Sequence, residues 1–257
     1  MNKKTNLNTK TVSAIILIGG SYDKKLLKKC LDSVSWCDEV VKVETEKVKG
    51  SFSEWRNEGA KKAQGDWLLY IDTDEEVTPD LKSEIEYTIN NLQFTNSAYA
   101  IPRKNKLLGH TMHWGGWWPD FVLRLIRKDK LKGWFGDLHE QPLIDGEVGH
   151  LKNPLKHDSH RNLHDMVEKT NKWSEIEAKL LYNSGHPKMN IFRFCSAALR
   201  EFWKRGILKM GFLDGTTGVI EIIYQIYSRL ITYSKLWEMQ LKDSKIQEPN
   251  HYESSNI

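Results

Sequence analysis

Cysteine is scarce in this chain. Its 257 residues include three, Cys30, Cys37 and Cys195, with no C-x-x-C pair among them. An odd number without paired spacing argues against a disulfide framework and fits free thiols in a reducing cytoplasm. Long apolar runs are also missing. No stretch of about eighteen uncharged apolar residues occurs, so no helical membrane span is expected. Met1 to Lys10 is polar and basic and lacks an apolar h-region, which reads as a flexible tail and not as a signal peptide. Neither sign of charge dominates. A net charge of +4 is too small to argue for nucleic acid as a partner. Repeats are absent, and low complexity is confined to Glu248 to Ile257. What remains is 39% hydrophobic and 28% charged, enough to bury a core, in a length that suits one large domain or a domain plus an appendage.

Apolar periodicity supplies the outline. Val12 to Ile18 is a continuous apolar run ending at Gly19-Gly20, a buried first strand. Asp23 to Val34 carries Leu26, Leu27, Cys30, Leu31 and Val34 at helical spacing. Glu39 to Val43 alternates charge with valine and predicts a second strand, Glu54 to Ala63 a short helix, and Trp67 to Ile71 a third strand. Thr78-Pro79-Asp80 then predicts a helix to about Leu92, with Thr78 as its cap and Pro79 at its first position. This alternation is the signature of a mostly parallel α/β sheet. Further strands are predicted at Ala98 to Pro102 and Phe121 to Arg127, with more up to His150. Helical periodicity returns from Leu163 to Tyr182, breaks at Gly185-His186-Pro187, and resumes with one more break around Gly211 to Gly218.

The third strand ends in Asp72-Thr73-Asp74-Glu75. Strand exits in α/β sheets are where ligands bind. In an extended segment residues i and i+2 point the same way, so Asp72 and Asp74 can face one ligand. Two carboxylates that close repel unless a cation lies between them. A divalent metal with oxygen ligands and a phosphorylated substrate satisfies both conditions. A solvated acidic loop capping the next helix is the plainer alternative for the tetrad alone.

More of the chain joins the tetrad. Arg56-Asn57-Glu58-Gly59 leads through Ala63 and Gly65-Asp66-Trp67 into that strand. Followed by D-x-D-E, this pattern resembles the nucleotide-sugar-binding half of family 2 glycosyltransferases, which have the GT-A fold. Gly115-Gly116-Trp117-Trp118-Pro119-Asp120-Phe121-Val122-Leu123-Arg124-Leu125 is similar to the acceptor-side segment of the branch that adds sugars to the lipopolysaccharide core. So are His139-Glu140, Leu151 to His157 and Gly211-Phe212-Leu213-Asp214-Gly215. The likeness covers roughly residues 12 to 238.

The resemblance implies an α/β fold: a GT-A-type nucleotide-binding mixed sheet flanked by helices over 11–185, followed by an amphipathic helical region over 186–257. It implies an inverting, metal-dependent transfer from a nucleoside-diphosphate sugar, with a UDP-sugar as the leading choice, to a glycan or glycolipid acceptor of the cell envelope. Asp72 and Asp74 would hold Mg²⁺ or Mn²⁺, with His157 completing the shell. Thr73 would line the same nucleotide-sugar site, and Asp72 would also lie near the ribose. Arg56 would reach the pyrophosphate or buttress the acidic loop. Inversion needs one base. Asp120 is the first candidate, because a Trp-rich surround favours a carboxyl that accepts a proton; Glu140 is the second. Trp117 and Trp118, with Trp114 nearby, offer indole faces for sugar rings, although at least one of the three is expected in the core. Arg124 would anchor an anionic acceptor or the diphosphate.

One stretch departs from the family pattern. Val43-Glu44-Thr45-Glu46-Lys47-Val48-Lys49-Gly50 lacks the usual aspartates, and Gly19-Gly20-Ser21-Tyr22-Asp23 replaces a polar run. Glu44 is expected to contact the base and Tyr22 to stack on it. The departure leaves open a nucleotide-sugar-binding protein without catalysis. A D-x-D phosphohydrolase with Asp72 as nucleophile is a third possibility, although it expects the pair on the first strand. His110-x-x-His113 and His157-x-x-His160-x-x-x-His164 have no Cys pair beside them, and H-x-x-H alone is a weak zinc signal. Finally, Ile191 to Lys209 interleaves apolar and basic residues. That pattern fits helices lying on a membrane or a partner, hence a peripheral position on the cytoplasmic face of the inner membrane.

Overall fold

The computed structural model of the protein describes residues 9–20, 22–47, 49–136 and 140–247, the last five by backbone alone. The expected flexible tail at 1–10 falls almost wholly outside the described residues, as do the tail from Glu248, Ser21, Val48 and His139. The chain forms two compact units. One is built from residues up to Lys106 together with Trp118–Ser159, the other from Leu107–Trp117 together with residues from His160 onward.

The first unit alternates as predicted: β1 (Val12–Ile18), α1 (Lys24–Ser33), β2 (Glu39–Glu44), α2 (Phe52–Lys62), β3 (Trp67–Ile71), β4 (Glu75–Val77) and α3 (Pro79–Asn90), then β5 (Ala98–Leu107). The second unit contributes β6 (His110–Thr111). β7 (Asp120–Arg127), β8 (Leu131–Phe135), β9 (Gln141–Ile144), β10 (Val148–His150) and β11 (Leu155–Asp158) complete the first. Its sheet is mixed, as the resemblance implies. In the order β2-β1-β3-β7-β5-β11-β4, the first three strands run parallel, and β7 lies antiparallel between β3 and β5. β10 and β11 both pair parallel with β5, at Ala98–Ala100 and Arg103–Lys106.

Side-chain alternation along β3 explains why Trp67–Ile71 reads as continuously apolar. Leu69 and Ile71 pack with Leu81 and Ile85 of α3 on one face. Leu68 and Tyr70 pack with Ile15, Val43 and Trp134 on the other. A strand covered on both faces needs apolar residues at every position.

Local chemistry sets the helix starts. Asp23 accepts from the Lys25 and Leu26 amides and caps α1. A capping box between Ser51 and Glu54 begins α2 two residues before the periodicity alone predicts. Thr78 accepts from the Leu81 amide and Pro79 opens α3, as predicted. Gly59 in Arg56-Asn57-Glu58-Gly59 is a packing glycine. A Cβ there would lie 2.5 Å from Ile15 Cγ2 and 3.3 Å from Val43 Cγ2, so its bare backbone lets α2 seat on β1 and β2.

The second unit is helical. α4 (Leu163–Asn183) packs along α6 (Gly215–Gln247), with Tyr224 donating to the Met166 carbonyl at 2.9 Å. α5 (Ile191–Glu201) continues through a π-helical segment, Phe202–Leu208, and a 3₁₀ turn, Gly211–Asp214. The sequence reading carried the first domain to 185. The structure instead groups α4 with the later helices, because the stripe Met166, Thr170, Ser174 and Ala178 is buried within this unit.

Gly59→Ala is expected to destabilise the protein through overpacking by roughly 1–3 kcal/mol, and so to lower its urea midpoint of unfolding. An unchanged midpoint would show that α2 can lift from β1 without penalty.

Candidate active site

The loop after β3 hangs on two buried arginines. Arg56, from α2, is 6% exposed, and Arg124, from β7, is 5% exposed. Arg56 Nη2 lies 3.3 Å from Asp72 Oδ1, and its Nε donates to Glu140 Oε1 at 3.0 Å. Its guanidinium also stacks over the Trp134 ring, 4.8 Å from the centroid. Arg124 takes the other oxygen, Asp72 Oδ2, and Glu75 Oε1 at 2.7 Å. Glu75 is fully buried. Its second oxygen accepts the Asp72 amide at 2.9 Å, which closes the turn.

Burial would raise the Asp72 carboxyl, but the Arg124 and Arg56 guanidiniums beside it outweigh burial and hold it well below the usual carboxylate range. For Arg124, burial works against the charge, and Asp72 and Glu75 override it to keep the guanidinium protonated. Cys30 donates to the Asp72 carbonyl at 3.4 Å. Its thiol is pushed up to about 12 by burial and then by the charges of Glu75, Asp72 and Asp74, so it stays neutral.

A second network lies on β5, β7 and β11. Arg103 donates to Asp120 Oδ2 through Nε at 2.9 Å and Nη2 at 2.7 Å, and Asn105 Nδ2 reaches the same oxygen at 2.9 Å. The surround expected to be Trp-rich is therefore polar at this carboxylate. Asn105 Oδ1 is 2.6 Å from His157 Nδ1. A carboxylate only accepts, so Asn105 must turn its NH₂ to Asp120 and its oxygen to His157. That places the His157 proton on Nδ1 and leaves a neutral ring's lone pair on Nε2. Nε2 faces Asp74 Oδ2 at 3.7 Å.

The predicted residues are thus brought together unevenly. Asp72, Asp74, Arg56, Asp120, Glu140 and His157 belong to these linked clusters, with Thr73 in the acidic loop. Arg124, expected at an anionic acceptor or the diphosphate, lies buried beneath the acidic loop with its Nη2 on Asp72 and Glu75. Tyr22 and Glu44 lie at the carboxyl ends of β1 and β2, both open to solvent, with Glu44 paired to Lys47. Trp118 is 39% exposed, two residues ahead of Asp120. Trp117 belongs to the second unit together with Trp114. Three residues were missed: Glu75 as keystone, and Arg103 and Asn105 as the supports of Asp120 and His157. Alternation along β5 from Arg103 to Asn105 was the available signal, but the predicted strand stopped at Pro102.

Chemically, the donor set fits a divalent cation. Five carboxylates (Asp72, Asp74, Glu75, Asp120, Glu140) face three guanidiniums (Arg56, Arg103, Arg124), a surplus of two negative charges. Asp74 and the His157 Nε2 lone pair are the donors left for a metal, because both Asp72 oxygens are taken by arginines. The same clamp denies Asp72 the freedom a phosphohydrolase nucleophile needs.

Arg124→Met should destabilise the protein by about 3–5 kcal/mol at pH 7, since it strands buried carboxylates. Asp72's depressed pKa stabilises the native state above the unfolded value of about 3.9, and that gain is lost as pH falls below it. The gap between variant and wild type should therefore narrow toward pH 4 and below in parallel urea titrations. A gap independent of pH would show that the clamp is not electrostatic.

Comparison with known proteins gives the family. The chain is 26% identical to an uncharacterized glycosyltransferase of Rickettsia conorii over 98% of its own length and 94% of the relative's. It is also 26% identical to one of Rickettsia prowazekii, over 73% and 67% of the two chains. Among solved structures it aligns with S. aureus TarS residues 1–349, at 13% identity and a TM-score of 0.37 over 91% and 92% of the two chains. It aligns with the same protein in complex with UDP-GlcNAc at 11% and 0.39, over 92% of each. Residues 8–140 match the model of glycosyl transferase family 2, which includes the acidic loop, both buried arginines and Asp120: the chain belongs to that family and is a glycosyltransferase.

Proposed function

We propose that the enzyme is inverting and metal-dependent. It moves a sugar from a nucleoside-diphosphate sugar, UDP-linked in the first place, to a hydroxyl of a lipopolysaccharide-core or other cell-envelope glycan. One observation carries this reading. The hydrogen-bonded chain Asp120–Asn105–His157 ends with Nε2 facing Asp74, so one network orients both a base and a metal ligand.

Asp74 and His157 would hold Mg²⁺ or Mn²⁺, and the bound ion would offset the charge that develops on the leaving diphosphate. Asp72, clamped by Arg56 and Arg124, presents its remaining surface to the ribose, with Thr73 beside it. Tyr22 and Glu44, at the strand ends, line the base side. Asp120 accepts the proton of the acceptor hydroxyl as the new C–O bond forms and the diphosphate leaves. Arg103 and Asn105 fix its carboxylate for that transfer. Glu140 is tied to Arg56 and only 16% exposed in its side chain, which makes it the weaker base. Trp118 offers its indole face to the acceptor sugar.

A lipid-borne acceptor suits the second unit. Phe192, Leu199, Trp203, Leu208 and Phe212 are 80, 68, 57, 66 and 50% exposed. Arg193, Arg200, Lys204 and Lys209 are exposed between them, and the acid in this stretch, Glu201, is buried. Such a face fits shallow insertion into an anionic surface, in keeping with a peripheral place on the cytoplasmic face of the inner membrane. No helix among the described residues is long and apolar enough to cross a membrane.

Thermal-shift titration with nucleoside diphosphates should give stabilisation that requires Mn²⁺ and vanishes in Asp74→Ala. Asp120→Asn should cut kcat by about 10²–10⁴-fold with little change in donor KM. Failure of every nucleoside diphosphate to stabilise the protein would sink this reading. On vesicles, the protein should co-sediment with anionic but not zwitterionic lipid, and Phe192→Ser/Trp203→Ser should weaken that binding. Equal sedimentation of wild type and variant would remove the membrane role.

A further inference from the structure

Within the second unit, two histidines converge on one buried carboxylate. Asp214, in the turn before α6, is 2% exposed in its side chain. Its oxygens accept the His113 amide at 3.1 Å and the Trp114 amide at 2.8 Å. His110 Nε2 stands 3.4 Å and His113 Nδ1 3.7 Å from the same atom, Oδ1. All three ligand atoms lie within 4.8 Å of one another.

The His110 contact is a long hydrogen bond and the His113 contact is longer still, against a usual N–H···O distance of about 2.9 Å. The two histidine–carboxylate separations, 3.4 and 3.7 Å, lie near the edge, about 3.3 Å, of a tetrahedron whose metal–ligand bonds are about 2.0–2.1 Å. The carboxylate is already oriented by backbone donors, as a metal-bound carboxylate requires. The backbone around it is held as well. The Gly115 amide donates to the Lys209 carbonyl at 2.8 Å, and a Cβ built on Gly211 would come within 3.2 Å of Gly115 Cα. The two segments that bring the ligands together are thus in direct contact. Both histidine rings are open to solvent, with side chains 44% and 57% exposed, so an ion can enter and water can take a fourth position.

We infer that His110 Nε2, His113 Nδ1 and an Asp214 oxygen form a zinc-class site that ties the 107–117 segment to the start of α6. Two imidazoles and one carboxylate favour zinc-class ions over Mg²⁺. The site shares no residue with Asp74 and His157.

Tag-free, chelator-stripped full-length protein titrated with Co²⁺ should develop tetrahedral d–d absorption at one equivalent, which Zn²⁺ then bleaches. Zn²⁺ should also raise the thermal midpoint. In His110→Ala and His113→Ala, affinity from chelator competition should fall by at least the ~10–100-fold that loss of an outer-shell partner costs, while Asp74→Ala keeps both signals. Absence of the Co²⁺ band together with no thermal shift at ten equivalents of Zn²⁺ would overturn the site. So would signals that survive in His110→Ala/His113→Ala, or that disappear in Asp74→Ala.

Discussion

The grip of Arg56 and Arg124 on Asp72 is the constraint on which the catalytic half of the molecule depends. A carboxylate at a strand exit is free to wander or to repel its neighbours. Here each of its oxygens meets a different guanidinium, one carried by α2 and one by β7, and Glu75 completes the pair from beneath. Burying such ions costs several kcal/mol apiece in desolvation, so the arrangement contributes geometry more than stability. The geometry fixes the acidic loop. With Asp72 immobilised, Asp74 is left as the outward-facing acid, and the loop can present it to a ligand without rearranging.

The consequence for chemistry is a division of labour between two carboxylates that look equivalent in sequence. Asp72 is electrostatically spent on the protein. Asp74 faces an imidazole lone pair. That lone pair is itself a result of the hydrogen-bond accounting along Asp120, Asn105 and His157, where each group has one compatible orientation. Asp120 and His157 are therefore coupled through a single amide side chain, and a disturbance at Asn105 reaches both. A site of this kind is preorganised by its supports, not by its reacting groups.

The second unit follows different physics. Its helices bury narrow stripes against one another and leave apolar and basic residues open along α5 and the turns that follow. The short 3₁₀ turn before α6 holds Asp214 against backbone amides of a distant segment. Both features belong to the same unit.

Much of this was legible in the chain itself. The apolar runs of β1 and β3, the cap at Thr78, and the R-N-x-G to D-x-D-E sequence fix element types and order, because their causes are local: side-chain period, a capping oxygen, a proline at a first helical turn. The extension of β5 through Leu107 was not legible, since Arg103, Asn105 and their partners are polar and read as loop. Nor was the role of Arg124, whose sequence says only that a cation follows an acid. Sequence alone determined that carboxylates would gather at the exit of β3. Tertiary structure alone decided which of them is neutralised and which is presented, because that choice depends on guanidiniums and an imidazole carried in from strands and helices far along the chain, and on how buried each pair becomes once they meet.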